Sequence, residues 1–265
     1  MTNNEDKNQY LRSDTNMPKP DVVMDDDLKV KVIGFGALNL DKLFYVDEIV
    51  GPDEETFIKS ETSSPGGSAA NTMIALSKLG LPTSYIGKIA TDDDGDMLEM
   101  NLAKSGVFLN HLIYAEEGHS GKVLGFVDKN GVRSLYVDPG VNDDIVINEL
   151  NHYFINQTKI LHYTSFVGDS FHAQNELLDK LNDSVILSFD PGMLYVKKGV
   201  NGLRKILQRT NILLINKNEL MLLFKDYFCE KFNLKEEDNL TFRDISVHLL
   251  DEGIDTVVVK NGSKG

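Results

Sequence analysis

The sequence predicts an α/β fold: a mostly parallel sheet covered by helices on both faces, carrying a small antiparallel flap. Three observations lead there. From residue 83 onward, short unbroken apolar runs alternate with amphipathic helical segments, as parallel strands buried on both faces require. Earlier, LFYVDEIV and ETFIKSET flank GPDE and alternate apolar with polar residues, as short antiparallel strands do. The chain has 265 residues, 41% of them hydrophobic, which suffices for a substantial core.

Residues 1–28 are polar, run through Asp25-Asp26-Asp27 and read as a disordered acidic tail. Order begins at LKVKVIGFGALNL, where Val30, Val32 and Ile33 make a buried strand. After the flap strands comes SSPGGSAANTMIALSKL. Pro65 cannot extend a ladder, Gly66 and Gly67 permit angles and approaches that a Cβ forbids, and Ser68 is a candidate N-cap. Ala69, Ala70 and Asn71 leave space above the first helical turn. Met73, Ile74, Leu76 and Leu79 supply a buried stripe, and Gly80 and Pro82 end the helix. Such a turn presents free N–H groups to a polyhydroxyl or anionic ligand; a plain tight turn before a core helix fits the same residues.

TSYIGKIA is a strand, and DDDGDMLEMNLAKSG is a helix with an acidic start, a stripe of Met97, Leu98 and Leu102, and a stop at Gly106. HLIYAE and GKVLGFVDKNGVRSLYVD are strands, the latter folded at Asn130-Gly131. INELNHYF is a short helix. The strands TKILHYTSF, SVILSFD, NILLIN and DTVVVK then alternate with the helices SFHAQNELLDKL, KKGVNGLRKILQR, KNELMLLFKDYF and LTFRDISVHLLDEG. Asn261-Gly262 is a turn signal after an apolar strand; a return strand is expected, so the protein is expected to continue past Gly265.

A net charge of −14 and a pI near 4.8 argue against nucleic acid or an anionic membrane as partner. One cysteine, Cys229, precludes an intrachain disulfide and suits a reducing compartment. The N-terminal residues lack the apolar core of a secretory signal and no run approaches membrane-spanning length, so a soluble, cytoplasmic protein is expected.

The motifs narrow the chemistry. Gly34-Phe-Gly36-Ala-Leu-Asn39 is a poor dinucleotide fingerprint, because Asn39 holds the third glycine's place and a strand follows. The six histidines lack ligand spacing, and neither GxSxG nor a Walker sequence occurs. Asp92-Asp93-Asp94 suits either a cation or a helix N-terminus. Asn39 and Asp41 follow the first strand, at the edge where α/β sheets bind ligands. Asp41 could accept hydroxyl hydrogen bonds and Asn39 could accept and donate; an Asx turn is the competing reading.

Taken in order, VIGFGALNLD, PGGSAANTMIALSKLG, IGKIATDDDGD, RSLYVDPGVN, SFDPG, NILLINKNEL and TVVVKNGSKG resemble the ribokinase-like carbohydrate kinases, the PfkB family, from about Val30 to Gly265. The resemblance implies a three-layer sandwich over residues 29–265, with lid strands within about 39–64 and 111–137 and the last part of the domain missing. It implies ATP- and Mg²⁺-dependent phosphorylation of a sugar or nucleoside hydroxyl. Asn39, Asp41, Gly66, Gly67, Ser68 and Asn71 match the family's substrate ligands. Asn218 and Glu219 match its Asn-Glu motif, with Glu219 near the metal. Gly262, Ser263, Lys264 and Gly265 match the start of its nucleotide-binding segment. The catalytic base is expected beyond Gly265, and pairing of two copies through the lid is expected. A non-catalytic sugar- or nucleoside-binding protein on the same scaffold is the alternative.

Two departures bear on these expectations. Ser68 stands where strict ribokinases carry lysine, which argues against ribose as the acceptor and leaves nucleosides, fructose-like sugars and sugar acids open. Met221 stands where a second acid often follows the Asn-Glu pair, while Asn216 and Glu219 restore an Asn-x-x-Glu spacing; both registers remain open.

Overall fold

The structure is a computed structural model that describes residues 30–233 and 240–264. The tail expected over residues 1–28, Gly265 and the side chain of Lys264 lie outside the described residues.

The strands are β1 (Val32–Phe35), β2 (Asn39–Val46), β3 (Ile58–Gly66), β4 (Thr83–Ala90), β5 (Leu112–Ala115), β6 (Gly121–Val127), β7 (Arg133–Asp138), β8 (Ile160–Thr164), β9 (Ile186–Asp190), β10 (Ile212–Asn216) and β11 (Thr256–Lys260). The helices are α1 (Ser68–Lys78), α2 (Asp93–Lys104), α3 (His152–Ile155), α4 (Ser170–Leu178), α5 (Gly192–Val196), α6 (Gly199–Arg209), α7 (Lys217–Lys231) and α8 (Phe242–Asp251). Seven strands form a central sheet in the order β11-β10-β9-β8-β1-β4-β5, and every pairing in it is parallel. Parallel neighbours need crossovers, which the intervening helices supply.

On one face, Ile33, Phe35, Leu161, Tyr163, Leu187 and Phe189 are buried in one cluster with residues of α4 to α8. On the other, Met73 of α1 and Leu98 and Leu102 of α2 pack on Val32 and Tyr85. That second face is covered over β1 and β4 but left accessible toward β9 and β11, where Ile186 is 40% and Val258 43% exposed.

The flap is a four-stranded sheet, β3-β2-β6-β7. It is mixed rather than antiparallel, because the hairpins β2-β3 and β6-β7 lie side by side with β2 and β6 parallel. The segment at 112–115, expected among the lid strands, instead extends the central sheet beside β4; α2 provides its crossover and Leu112 is buried there. INELNHYF is broken into a 3₁₀ turn, Ile147–Glu149, and α3, because Asn151 caps a new start by accepting from the Phe154 N–H at 3.2 Å. The stripes are narrower than periodicity implies: Leu79 and Met97 are exposed. The Asn261-Gly262 signal produces a 3₁₀ turn, Gly262–Lys264. No helix among the described residues is long and apolar enough to cross a membrane.

His162 sits in β8 on the partly open face, with Nδ1 3.0 Å from Ser188 Oγ and no partner for buried Nε2 among the described residues. Burial pushes its pKa down to about 4 from 6.5, Lys260 adds to this, and Asp190 opposes it. A folded-state pKa below the unfolded one contributes stability that is complete above pH 6.5 and is lost as pH falls toward 4. The expected loss is roughly 3 kcal/mol between neutral pH and pH 4. Urea unfolding of the wild type and of His162→Gln should therefore show a smaller acid-induced decline in the variant; equal declines would remove His162 as the cause.

Candidate functional site

The carboxyl edge of a parallel sheet is where α/β proteins place ligands. Here β1 ends at Phe35, β2 starts at Asn39, β3 returns at Gly66 and α1 begins at Ser68. Asn39, Asp41, Gly66, Gly67, Ser68 and Asn71 are thereby gathered at one corner. Asn39 and Gly66 are register partners, and a Cβ on Gly66 would lie 2.9 Å from Asp41 Oδ1, so the carboxylate rests over the turn. Gly67 has φ of 108°, and a Cβ there would stand 2.5 Å from the Ala37 carbonyl oxygen. It is also the N-cap of α1, without a side-chain cap. The expectation that Ser68 caps the helix is therefore corrected. The chain must pass Ala37 without a Cβ, so glycine occupies the cap and Ser68 becomes the first helical residue, exposed. Asn71 is exposed on the same first turn, and its N–H donates to the Gly67 carbonyl at 2.9 Å.

Asp41 is half-buried, and that burial raises its carboxyl above the usual 3.8. No hydrogen bond or ion pair to it occurs among the described residues. Asn39 Oδ1 accepts from Asn142 Nδ2 at 2.9 Å. Asn142 lies in RSLYVDPGVN, yet sequence reasoning gave it no role; a buried amide bonded to a backbone far away in sequence has no local signature.

The lid is tied to the body through the start of α2. Asp94 receives Lys42 of β2 at 3.1 Å and Lys122 of β6 at 3.2 Å. Asp92 caps α2 by accepting from the Gly95 N–H at 2.8 Å, and also accepts from the Ser120 N–H at 2.9 Å and the Ser120 hydroxyl at 2.6 Å. Burial alone would raise the Asp92 carboxyl, but these bonds and Lys122 hold it below its usual value. Of the two readings of Asp92-Asp93-Asp94, the helix N-terminus is the one realised.

Farther along the same edge, Asn216 caps α7. Its Oδ1 accepts from the Glu219 N–H at 2.9 Å, and Glu219 Oε2 accepts from the Asn216 N–H at 3.0 Å. The structure thus couples Glu219 to Asn216, whereas Asn218 is exposed. This capping box closes two orphan amides of the helix and fixes the buried Glu219 carboxylate at the sheet edge. Asn216 pairs in register with Lys260, whose Nζ lies 2.6 Å from Asp190 Oδ2 across β10, and Gly262 and Ser263 follow in the 3₁₀ turn. β10 is three strands from β1 in the sheet order, so the two ends of the site stand roughly 14 Å apart. Among the described residues, no group of three or more His, Cys, Asp or Glu side chains is placed to hold a metal ion.

The family profile described as pfkB family carbohydrate kinase matches residues 29–265. An uncharacterized sugar kinase of Archaeoglobus fulgidus is 36% identical over 196 residues, 72% of this chain and 71% of that protein. An ATP-dependent ribose-1-phosphate kinase of Halopiger xanaduensis is 30% identical over 199 residues, 75% of this chain and 66% of that protein. Among solved structures, the ribokinase of Thermotoga maritima superposes with a TM-score of 0.75 at 26% identity, covering 89% of this chain and 73% of that one. The chain therefore spans about two thirds to three quarters of the relatives it matches. With a family match over residues 29–265 and a sugar-kinase relative 36% identical, the chain belongs to the pfkB family of carbohydrate kinases.

Proposed function

We propose that the protein transfers the γ-phosphoryl group of ATP to a hydroxyl of a small sugar or nucleoside, bound at Asn39, Asp41 and the Gly66–Asn71 turn. The observation that carries this is Asp41, a half-buried carboxylate laid over the diglycine turn with no protein partner among the described residues. A desolvated carboxylate in that state is completed by hydroxyl donors from a ligand. The relatives' names, a sugar kinase and an ATP-dependent ribose-1-phosphate kinase, support the same class of acceptor and donor.

ATP and Mg²⁺ fit the second end of the site. Glu219 offers a hard oxygen donor fixed by its cap, and Gly262 and Ser263 offer a turn beside it. Without a ready-made cluster of ligands, Mg²⁺ would arrive with the nucleotide, keep several waters and lean on one carboxylate, as that ion often does. When bound, it would neutralise phosphate charge; the chain's own part is to orient the nucleotide and acceptor. Lys264 and Gly265 continue this segment in the proposal. Pairing of two copies through the lid is supported by its apolar face, where Leu135 and Val137 share the Asp41 side of the sheet and are exposed.

The test is ADP release by the full-length protein with MgATP and D-ribose, ribose-1-phosphate, D-fructose or adenosine, alongside isothermal titration of each. Turnover of one acceptor is expected. Glu219→Gln, which keeps an acceptor oxygen for the cap, should lower kcat roughly 10- to 100-fold, the range for residues that support a metal. Binding without turnover would favour a non-catalytic scaffold, and neither binding nor turnover would sink the proposal.

A further inference from the structure

Asn142 lies in the 3₁₀ turn Gly140–Asp144 and is fully buried. The Leu38 N–H, which can only donate, lies 3.0 Å from its Oδ1. The Leu38 carbonyl, which can only accept, lies 2.8 Å from its Nδ2. Two backbone groups of opposite sense allow one orientation of the carboxamide. The second Nδ2 hydrogen then points to Asn39 at 2.9 Å, and the atom it meets must be the acceptor, Oδ1. Asn39 is left with Nδ2 as its free end, without a partner among the described residues. The turn carrying Asn142 is itself pinned, since the Ser170 hydroxyl donates to the Asn142 carbonyl at 2.5 Å and accepts from the Ile145 N–H at 2.9 Å. Gly121 makes room for the contact, because a Cβ there would fall on both Asn142 Nδ2 and Asn39 Oδ1.

We propose that Asn142 is a positioning residue that turns Asn39 into a hydrogen-bond donor toward the pocket, so that the substrate end reads one acceptor oxygen at Asn39 beside one hydroxyl donor at Asp41. Asn39 and Asp41 lie two residues apart on one face of β2, so the ligand chemistry is a pair of nearby oxygens, such as a vicinal diol, in which one oxygen accepts and the other donates. This rests on the reading of Asn39 and Asp41 as substrate ligands.

Two measurements on the full-length protein separate the inference from that reading. In the free protein, the side-chain amide protons of Asn142 should exchange with D₂O far more slowly than those of Asn39. Gly121→Ala, which substitutes neither asparagine but crowds the contact between them, should abolish that protection. Equal exchange at the two amides would overturn the positioning role, whatever the protein binds. The second measurement titrates D-ribose, D-fructose and adenosine while following the Asn39 amide by NMR, and then compares kinetics with the best acceptor. Asn142→Ala and Gly121→Ala should each raise KM about tenfold, the loss of one hydrogen bond, with kcat within about twofold. An equal fall in kcat with KM unchanged would overturn the positioning role. A protected Asn142 together with an Asn39 amide that none of the three ligands shifts would instead overturn the substrate reading, and the proposal with it.

Discussion

Asp41→Ala should raise KM for the acceptor by roughly 10- to 100-fold, the loss expected when hydrogen bonds to a charged group disappear. Thermal stability should hold or improve, because the carboxylate is desolvated by burial and gains no partner among the described residues. That pairing of outcomes separates a ligand-binding residue from a structural one. The effect also has a pH signature. Burial raises the Asp41 carboxyl above 3.8, so acceptor affinity should begin to fall at a higher pH than an ordinary carboxylate allows. Below that pKa the acid form no longer accepts as a carboxylate, and affinity should decline with each further drop in pH. Asp41→Asn should flatten the profile. Steady-state kinetics across about pH 4 to 8, which spans the ordinary carboxylate values, would measure it, and an unchanged profile in the variant would assign the titration elsewhere.

Gly67→Ala should carry a large cost in stability. Its φ of 108° is strained for any residue with a Cβ, and the added carbon would meet the Ala37 carbonyl at 2.5 Å. Backbone strain and overpacking each cost about 1–3 kcal/mol, so a loss of roughly 2–5 kcal/mol is expected. Against a typical total of about 5–15 kcal/mol, this would lower the urea midpoint visibly. Because the turn also carries the Asp41 corner of the site, acceptor binding should weaken along with stability. A variant of wild-type midpoint would mean that the β3–α1 junction relaxes freely, which the packing against Ala37 argues against.

Much of this architecture was legible because it is written in local patterns. The apolar runs at β8, β9 and β10 and the intervening helical periodicity specify parallel strands, and Asn130-Gly131 specifies a hairpin. The gathering of Asn39, Asp41 and the diglycine turn followed from their places at the ends of adjacent elements. What escaped is non-local or set by space. β5 resembles a flap strand in its own residues and joins the central sheet only because α2 returns the chain beside β4. The Asn216 and Asn218 registers are equivalent as spacing, and only the cap geometry separates them. Asn142 acts on Leu38 across 104 residues, and no short window holds both partners. The N-cap of α1 depended on how near Ala37 lies to Gly67, a distance absent from any local pattern.

The strand order has a consequence for how the molecule is made. From β9 to β11 each strand pairs with the one synthesised just before it, so this half of the sheet can grow outward as the chain emerges. β1 is in a different position: it is central, and its partner β8 begins at Ile160, paired with Val32. Until the ribosome has delivered that distant strand, one edge of β1 stays open, with only β4 at its side. The slow and aggregation-exposed stage of biogenesis is therefore expected in the wait between β4 and β8, while β5 and the lid strands β6 and β7 are still being added.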